Sequence, residues 1–332
     1  MGVRRVLMLI FTIMMITGVS IAVAHVPRTA EENESLETAM VIEDPIKSWA
    51  IYSELLCGEV ANYFEMEMEE GERLYLNLLT SENKNFVPSL AVMGPGIDVN
   101  ESTPDFVERP PYLGVKVIEG VIGEKEYEPF TPGSYYHPAR FDEKVDESGT
   151  YYVVVYNEEE TGGNYGLAVG YQETWSPIEW IKLPLDVVNI RIWEGQSIWH
   201  IFTPMITVLT VGFSWTCWKY YNNGWPKNTR EWCLITSSLL YIGSGAMMVM
   251  QMIIASNKSS PGLAVIVTII FASLPLILGY KLWQKSLDFK RPEKWDRVKV
   301  IVYGLLGFLV WAGLVIGPII ALSSALLPSR EA

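Results

Sequence analysis

Long apolar runs dominate the last part of the chain, whereas the part before them alternates between apolar and polar positions. The apolar runs cover residues 198–218, 232–254, 263–282 and 300–322. Each has about 20 residues, the length that an α-helix needs to cross a hydrocarbon layer about 30 Å thick. The pattern therefore predicts a bundle of four transmembrane helices.

Residues 47–174 show a period of two. In residues 62–69 three apolar side chains alternate with three glutamates, and after a Glu-Gly-Glu turn the leucines at 74, 76 and 78 resume the alternation. Such spacing places apolar groups on one face of a strand and acids on the other. Further short strands are separated by Gly, Pro and acidic turns with no helical pattern between them. We therefore predict an all-β antiparallel sandwich.

The N-terminal segment has the features of an export signal. An apolar run at residues 6–24 follows Arg4 and Arg5 and ends in Ala-Val-Ala. This pattern predicts a signal peptide over residues 1–24, with an uncleaved anchor helix as the alternative. Residues 25–46 are polar and acidic, which predicts a flexible leader before the sandwich.

The distribution of Lys and Arg predicts the orientation in the membrane. Among the loops between the four apolar runs, the first has three basic residues, the second has one, and the third has seven when Lys281 at the end of the run before it is counted. Basic loops stay in the cytoplasm. We therefore predict a multi-pass protein of the cell membrane, with residues 25–197 and a C-terminal tail at 323–332 outside the cell.

Three Asn-x-Ser/Thr patterns begin at Asn33, Asn100 and Asn257. All three lie on the predicted external side, so they are candidate glycosylation sites.

Residues 175–197 are predicted to form a collar between the sandwich and the membrane. Indole rings favour the headgroup level, so Trp175, Trp180, Trp193 and Trp199 are candidate interface anchors. Leu185, Val188 and Ile192 fall near helical spacing and suggest an amphipathic helix on the bilayer. A strand that completes the sandwich is the other interpretation.

Charge is divided unevenly along the chain. The formal net charge is −13, but residues 25–197 alone contain 33 acidic and 11 basic side chains, a net charge of −22. Such a field disfavours nucleic acid and favours cationic partners or metal ions. One acidic cluster is a candidate calcium site, with a solvated acidic loop as the alternative; its members are Asp142, Glu143, Asp146 and Glu147.

Several segments of the first half resemble a known family. They are Gly58 to Phe64, Pro88 to Gly96, the Gly-Thr-Tyr-Tyr element at 149–152 and Gly163 to Val169. Together they are similar to the bacterial pre-peptidase C-terminal domain over about residues 47–171. The resemblance implies a jelly-roll-like β-sandwich that serves as a binding or accessory module and has no catalytic residues. Two departures are Val60-Ala61-Asn62, in place of the usual acids, and an insertion at 97–136.

The predicted membrane spans have no acidic or basic side chain in their interior, whereas ion pathways and proton relays usually need one. Gly313 and Gly317 form a small-residue pair suited to close helix packing. His200 is the only histidine in the spans, and a haem between helices needs two axial ligands. We find no sequence motif for a cofactor or for catalysis.

These observations predict a non-enzymatic component of the cell surface, used for binding, as a scaffold or as an accessory component. Its expected partners are the lipid bilayer, a protein in the membrane or at the surface, and a divalent cation. The alternatives are a subunit of a membrane transport or secretion complex and a ligand sensor that acts through a partner.

Overall fold

The computed structural model describes residues 25–81, 85–99, 101–159, 161–287 and 294–327. The predicted signal peptide, Asn100 and half of the predicted external tail lie outside these residues. Twelve strands are followed by six α-helices in the described part of the chain. The strands are β1 (Val26–Thr29), β2 (Met40–Val41), β3 (Trp49–Leu55), β4 (Ala61–Met68), β5 (Arg73–Thr80), β6 (Ser89–Gly94), β7 (Gly114–Ile118), β8 (Glu126–Glu128), β9 (Gly133–Tyr135), β10 (Arg140–Lys144), β11 (Gly149–Tyr156) and β12 (Gly163–Val169).

Ten of these strands form a β-sandwich, as the sequence predicted. One sheet has the order β1-β3-β12-β5-β10 and the other has the order β2-β4-β11-β6-β7. The core lies between the sheets, and the apolar residues of β4 and β5 that alternate with polar ones are at most 2% exposed. Burying the apolar face of each strand is the main stabilising term for such a fold.

The segment before β3 is part of the sandwich, so the prediction of a flexible leader over residues 25–46 is wrong. β1 pairs in parallel with β3, and Val26 lies opposite Trp49. β2 pairs in parallel with β4, and Met40 lies opposite Phe64. These two edge pairs are parallel, whereas the other strand pairs in the two sheets are antiparallel.

The insertion that interrupts the family resemblance has two structural roles. Its first part covers the outer face of the second sheet, where Val107 packs against Tyr63 and Tyr156 in a second apolar cluster. Its last part forms the hairpin β8–β9, a separate two-stranded sheet. The hairpin contacts the helices, as described below.

The helices are α1 (Pro177–Trp193), α2 (Ile198–Asn223), α3 (Thr229–Lys258), α4 (Val265–Ser286), α5 (Lys294–Leu309) and α6 (Ile316–Leu326). α3 lies at the centre and packs against α2, α4 and α6. Within the described residues, three helices are long and apolar enough to cross a membrane: Ile198–Asn223, Thr229–Lys258 and Ala264–Ser286.

The fourth predicted span is not one helix. The apolar run at 300–322 is divided between α5 and α6, and the residues between them include Trp311, Leu314 and Val315 at positive φ. This conformation is unfavourable for residues with a side chain. Tertiary contacts offset the cost, because the Gly313 N–H donates to Ser244 Oγ of α3 at 2.8 Å.

Gly313 and Gly317 were predicted to form a close-packing face on a continuous helix. Instead, Gly313 lies in the break, at a φ of 67°, and Gly317 lies in the first turn of α6. Both approach α3 closely. A Cβ on Gly317 would lie 2.7 Å from Cε1 of Tyr241, and a Cβ on Gly313 would lie 3.0 Å from Cβ of Leu240. The glycines therefore allow close packing of the break on α3.

Candidate functional site: a polar junction between the sandwich and the helices

The sandwich contacts the helices through a group of polar side chains, which we call the junction. It lies where the hairpin β8–β9 and the end of α1 meet the adjoining ends of α3 and α4. The members from the sandwich side are Glu128, Ser134 and Tyr135, those from α1 and the residues after it are Arg191, Glu194 and Gln196, and those from the long helices are Gln251 and Thr268.

The hairpin is fixed on α4 by a short chain of hydrogen bonds. Thr268, which is fully buried in α4, donates from Oγ1 to the carbonyl oxygen of Pro129 at 2.6 Å. The hydroxyl of Tyr127 lies 2.8 Å from the same Oγ1. Because the Thr268 proton is already donated, Tyr127 is the donor to Thr268. The rings of Phe130 and Phe271 pack edge to face beside these bonds, with centroids 5.3 Å apart.

A buried ion pair closes the end of α1. Nη1 of Arg191 donates to Oε1 and Oε2 of Glu194 at 2.7 and 2.8 Å, and the side chains are 3% and 10% exposed. Tyr135 of the hairpin donates its hydroxyl proton to Glu194. Burial and the charge of Glu194 raise the pKa of Tyr135 well above its usual value, so the phenol stays a neutral donor.

A pair of amides joins the segment after α1 to α3. Nε2 of Gln196 donates to Oε1 of Gln251 at 2.9 Å, and Nε2 of Gln251 donates back to Oε1 of Gln196 at 2.8 Å. Gln196 also donates to Oε2 of Glu194 at 3.1 Å. The ion pair, the hairpin and α3 therefore belong to one hydrogen-bond network.

The junction also encloses a small cavity. Nε of Arg191 and Oγ of Ser134 are buried there without a hydrogen-bond partner among the described residues. The cavity has a volume of about 20 Å³ and is also lined by Glu194 and Gln251. This is enough for one water molecule but not for an organic substrate. The junction thus joins two parts of the protein around a cavity the size of one water molecule.

One carboxyl group in the junction can change its charge near neutral pH. Oε1 of Glu128 accepts a hydrogen bond from the Phe130 N–H at 3.0 Å. Burial raises the pKa of Glu128 to about 7, and Arg191 opposes this shift without cancelling it. Glu128 could not be recognised from the sequence, because nothing in the acidic hairpin distinguishes it from its exposed neighbours.

The predicted collar is a helix, so of the two interpretations the strand is wrong. α1 begins at a capping box in which the Ser176 N–H donates to Oε2 of Glu179 at 2.7 Å and the Glu179 N–H donates to Oγ of Ser176 at 3.3 Å. Lys47 forms an ion pair with Glu179 at 2.7 Å and ties this end to the sandwich. Leu185 and Ile192 are 65% and 47% exposed, as expected if they face a bilayer.

The four predicted interface tryptophans have different environments. Trp193 donates from Nε1 to the carbonyl oxygen of Ser53 at 3.0 Å and so belongs to the sandwich contact. Trp180 packs against Trp175 and stacks on Trp311, with the Trp180 and Trp311 centroids 4.4 Å apart, which ties α1 to the break between α5 and α6. Trp199 is 75% exposed and remains a candidate anchor.

The acidic cluster does not form the predicted calcium site. Asp142 accepts two hydrogen bonds from Arg73, and Glu143 forms an ion pair with Lys116 at 2.6 Å. Asp146 and Glu147 lie exposed beyond the end of β10. Across the ranges that the structure describes, no group of three or more His, Cys, Asp or Glu side chains is arranged to hold a metal ion.

The candidate glycosylation sites also differ from one another. Asn33 is 2% exposed, and its Nδ2 donates to the Tyr63 carbonyl oxygen at 3.0 Å, so attachment of a glycan is incompatible with the fold. Asn257 is exposed in the last turn of α3 and remains a candidate.

Comparisons with known proteins find similarity to solved structures alone. No family model and no curated protein matches the chain. A solved structure similar to this chain is the pre-peptidase C-terminal domain of a collagenase from Bacillus anthracis, with 18% sequence identity and a TM-score of 0.24. The match covers 42% of this chain and 99% of that domain. It concerns the β fold alone, and at this TM-score it carries no argument about function.

Proposed function

We propose that the protein is a non-enzymatic accessory component of the cell membrane that holds an acidic β-sandwich in a fixed position outside the cell. The junction is the observation that supports this proposal. A tethered domain would need only a linker, whereas here a buried ion pair, an amide pair and the hairpin attach the sandwich directly to the helices. Fixed attachment is useful when a domain must be presented to a partner at a defined height.

The proposed place for a membrane partner is the outer side of α2. Only 17% of its apolar segment is buried, against 50% for α3. Its exposed positions include a row of polar side chains at spacings of three and four residues, namely His200, Thr203, Thr207, Thr210, Ser214 and Cys217. In membranes such residues commonly pack against other helices. This row also favours the alternative, in which the protein is a subunit of a transport or secretion complex.

Two polar residues of α3 that would mark a substrate path in such a complex have structural roles here. Ser244 donates to the Tyr241 carbonyl oxygen and accepts from the Gly313 N–H. Gln251 is paired with Gln196. The transport alternative would therefore need a path formed with a partner and not within α3.

The test is purification of the intact protein from its native membrane in mild detergent, followed by mass spectrometry. We expect a membrane protein at near-equal amounts with the wild type and a large loss of it with T203L/T207L/T210L. The matched control is V208L, which changes a half-buried position of the same helix. A wild-type protein that is purified alone, or that processes a substrate, would contradict the proposal. Reconstituted flux with the partner would favour the transport alternative.

A further inference from the structure

The last two helices, α5 and α6, form a hairpin. Arg297, in the first turn of α5, donates from Nη1 to the carbonyl oxygen of Ala325, near the end of α6, at 2.9 Å. Close to the break, a Cβ on Gly307 would lie 3.0 Å from Cγ of Pro318. The two helices are therefore in contact along their length and run in opposite directions. The end of α6 lies beside the start of α5.

The break between these helices lies beside the middle of α3. The Gly313 N–H donates to Oγ of Ser244, which is midway along α3. The first turn of α6 lies beside an earlier part of α3, because Ser237 donates from Oγ to the carbonyl oxygen of Gly317 at 2.8 Å. The later part of α3 leads to the junction through Gln251. From the break, α6 therefore runs away from the sandwich.

The open end of the hairpin lies at the end of the helices that is remote from the sandwich. Asp296, in the first turn of α5, forms an ion pair at 2.7 Å with Lys285 in the last turn of α4. The other end of α4 contacts the hairpin β8–β9 through Thr268. Trp295 is 71% exposed at the start of α5. Basic side chains and exposed indoles are typical of the headgroup level on the cytoplasmic side.

The length of α6 fits a helix that reaches only part of the way across a membrane. It has 11 residues, which corresponds to about 16 Å of helix. This is about half of a ~30 Å hydrocarbon layer. A helix of this length connects the middle of the layer to one surface, in agreement with its start beside the middle of α3.

The break is enclosed by protein. Nε1 of Trp311 donates to the carbonyl oxygen of Trp180 in α1 at 2.9 Å, and Nε1 of Trp180 donates to the carbonyl oxygen of Phe308 at 3.3 Å. Ser244 of α3 accepts from the Gly313 N–H on the other side. Irregular backbone is tolerated at membrane depth where protein covers it. The break can therefore lie inside the membrane.

We infer that α5 and α6 form a re-entrant hairpin, which enters the membrane from the side opposite to the sandwich and returns to that same side. The distribution of Lys and Arg predicts that this side is the cytoplasm. The prediction of an external C-terminal tail treated residues 300–322 as one crossing, and the return of α6 reverses its side. A partner that binds the end of α6 would come from the cytoplasm, whereas a partner of the sandwich would come from outside. The inference requires helices in a membrane and does not depend on the proposed accessory role.

Labelling with a membrane-impermeant maleimide in intact and permeabilised cells tests the side. The variant C217S/C233S keeps Cys57, which is exposed in the sandwich. In the background C57S/C217S/C233S, S329C reports the tail, and N222C is the matched control in the exposed last turn of α2 at the remote end. We expect labelling of Cys57 in intact cells and of S329C and N222C only after permeabilisation. Labelling of S329C on the same side as Cys57 would refute the inference.

An oxidative cross-link in purified membranes tests the hairpin without reference to the side. A Cβ on Gly304 would lie 2.8 Å from Cγ of Leu322, so G304C/L322C in the same background should form a disulfide. In a continuous helix these two positions would be about 27 Å apart. V302C/L322C is the control, because positions two residues apart on a helix do not face the same neighbour.

Mass spectrometry of the digested protein measures the cross-link. We expect it in G304C/L322C and a large loss of it in V302C/L322C. Its absence from G304C/L322C, or equal cross-linking in both variants, would overturn the hairpin even if the maleimide did not reach S329C.

Discussion

Two arginine–carboxylate pairs in this protein have nearly the same contact distances but opposite surroundings. Arg191 and Glu194 in the junction lie 2.7 and 2.8 Å apart, and Arg73 and Asp142 on the sandwich edge lie 2.6 and 2.8 Å apart. The junction side chains are 3% and 10% exposed, whereas those at the edge are 42% and 40% exposed.

The difference in burial shows why the two pairs should contribute differently to stability. Water can solvate Arg73 or Asp142 if the other is lost, so the pair contributes little net stability. The junction pair is shielded from bulk water, so breaking the pair leaves a buried charge largely uncompensated. The contact distances alone therefore do not predict which pair contributes more to stability, whereas the burial of the side chains does.

The largest expected effect comes from breaking the buried pair. R191M leaves the Glu194 carboxylate without its cation and should lower the free energy of unfolding by about 3–5 kcal/mol. Thermal unfolding in detergent measures this loss, and limited proteolysis between the sandwich and the helices shows whether the contact opens.

The double variant R191M/E194L is the matched control for this prediction. It removes both charges, so most of the stability should return, because no buried ion remains. A loss below about 1 kcal/mol in the single variant, within the range of exposed pairs, would show that water reaches the pair.

The amide pair is the next way to weaken the junction. Q251L removes one partner and leaves Oε1 of Gln196 and one of its side-chain N–H groups without their hydrogen bonds, which should cost about 1–3 kcal/mol. Q196L/Q251L removes both amides and should be closer to the wild type. Unfolding of the wild type, Q251L and Q196L/Q251L in the same detergent measures these losses of stability. Equal losses in the single and double variants would contradict the prediction.

The sequence predicts those parts of the fold that depend on a local pattern of side chains, and it does not predict those that depend on distant contacts. The strands β4 and β5 follow from alternation, because each face of a strand has one environment along its length. The break at Gly313 depends on Ser244, almost seventy residues earlier, and an apolar run contains no sign of it. The edge strands β1 and β2 were missed because a short polar segment has the same composition as a flexible leader.

The junction was hard to predict for the same reason. Gln196 and Gln251 are 55 residues apart, and Arg191 lies in a segment that was interpreted through its tryptophans. One signal was available: Gln251 is the one amide side chain in the apolar run 232–254, and such a group needs a partner in the membrane. At the acidic cluster, by contrast, a site was predicted where the structure shows ion pairs. The density of acids suggested calcium, but the cations that pair with them lie on other strands.

Glu128 makes the strength of the junction depend on pH. Its folded pKa of about 7 lies above the ~4.3 of an unfolded glutamate, so the folded state binds the proton more tightly. Its contribution to stability is full below about pH 4 and is lost as the pH rises through 7. E128Q cannot ionise and should flatten this part of the stability curve, so that the variant is more stable than the wild type at pH 8.

Unfolding of the wild type and E128Q between pH 4 and 8 measures this effect. The matched control is E124Q, at an exposed glutamate two residues before the same strand, and its pH curve should follow that of the wild type. If E128Q and E124Q behave alike, Glu128 is solvated and the junction has no titrating group near neutral pH.

The smallest effect is expected at the exposed pair. Arg73 holds the pKa of Asp142 below its usual range. The pair therefore stabilises the sandwich at a pH above the usual pKa, and this contribution to stability is lost as the pH falls through the lowered pKa. D142N should nevertheless cost less than about 1 kcal/mol at neutral pH, and high salt should reduce the difference further. Millimolar calcium should leave the unfolding temperature of both proteins unchanged, because Asp142 and Glu143 are already paired with cations. If calcium raised the unfolding temperature of the wild type and D142N abolished this increase, the acidic cluster would bind calcium. Charge would then stabilise the fold at the sandwich edge as well as at the junction.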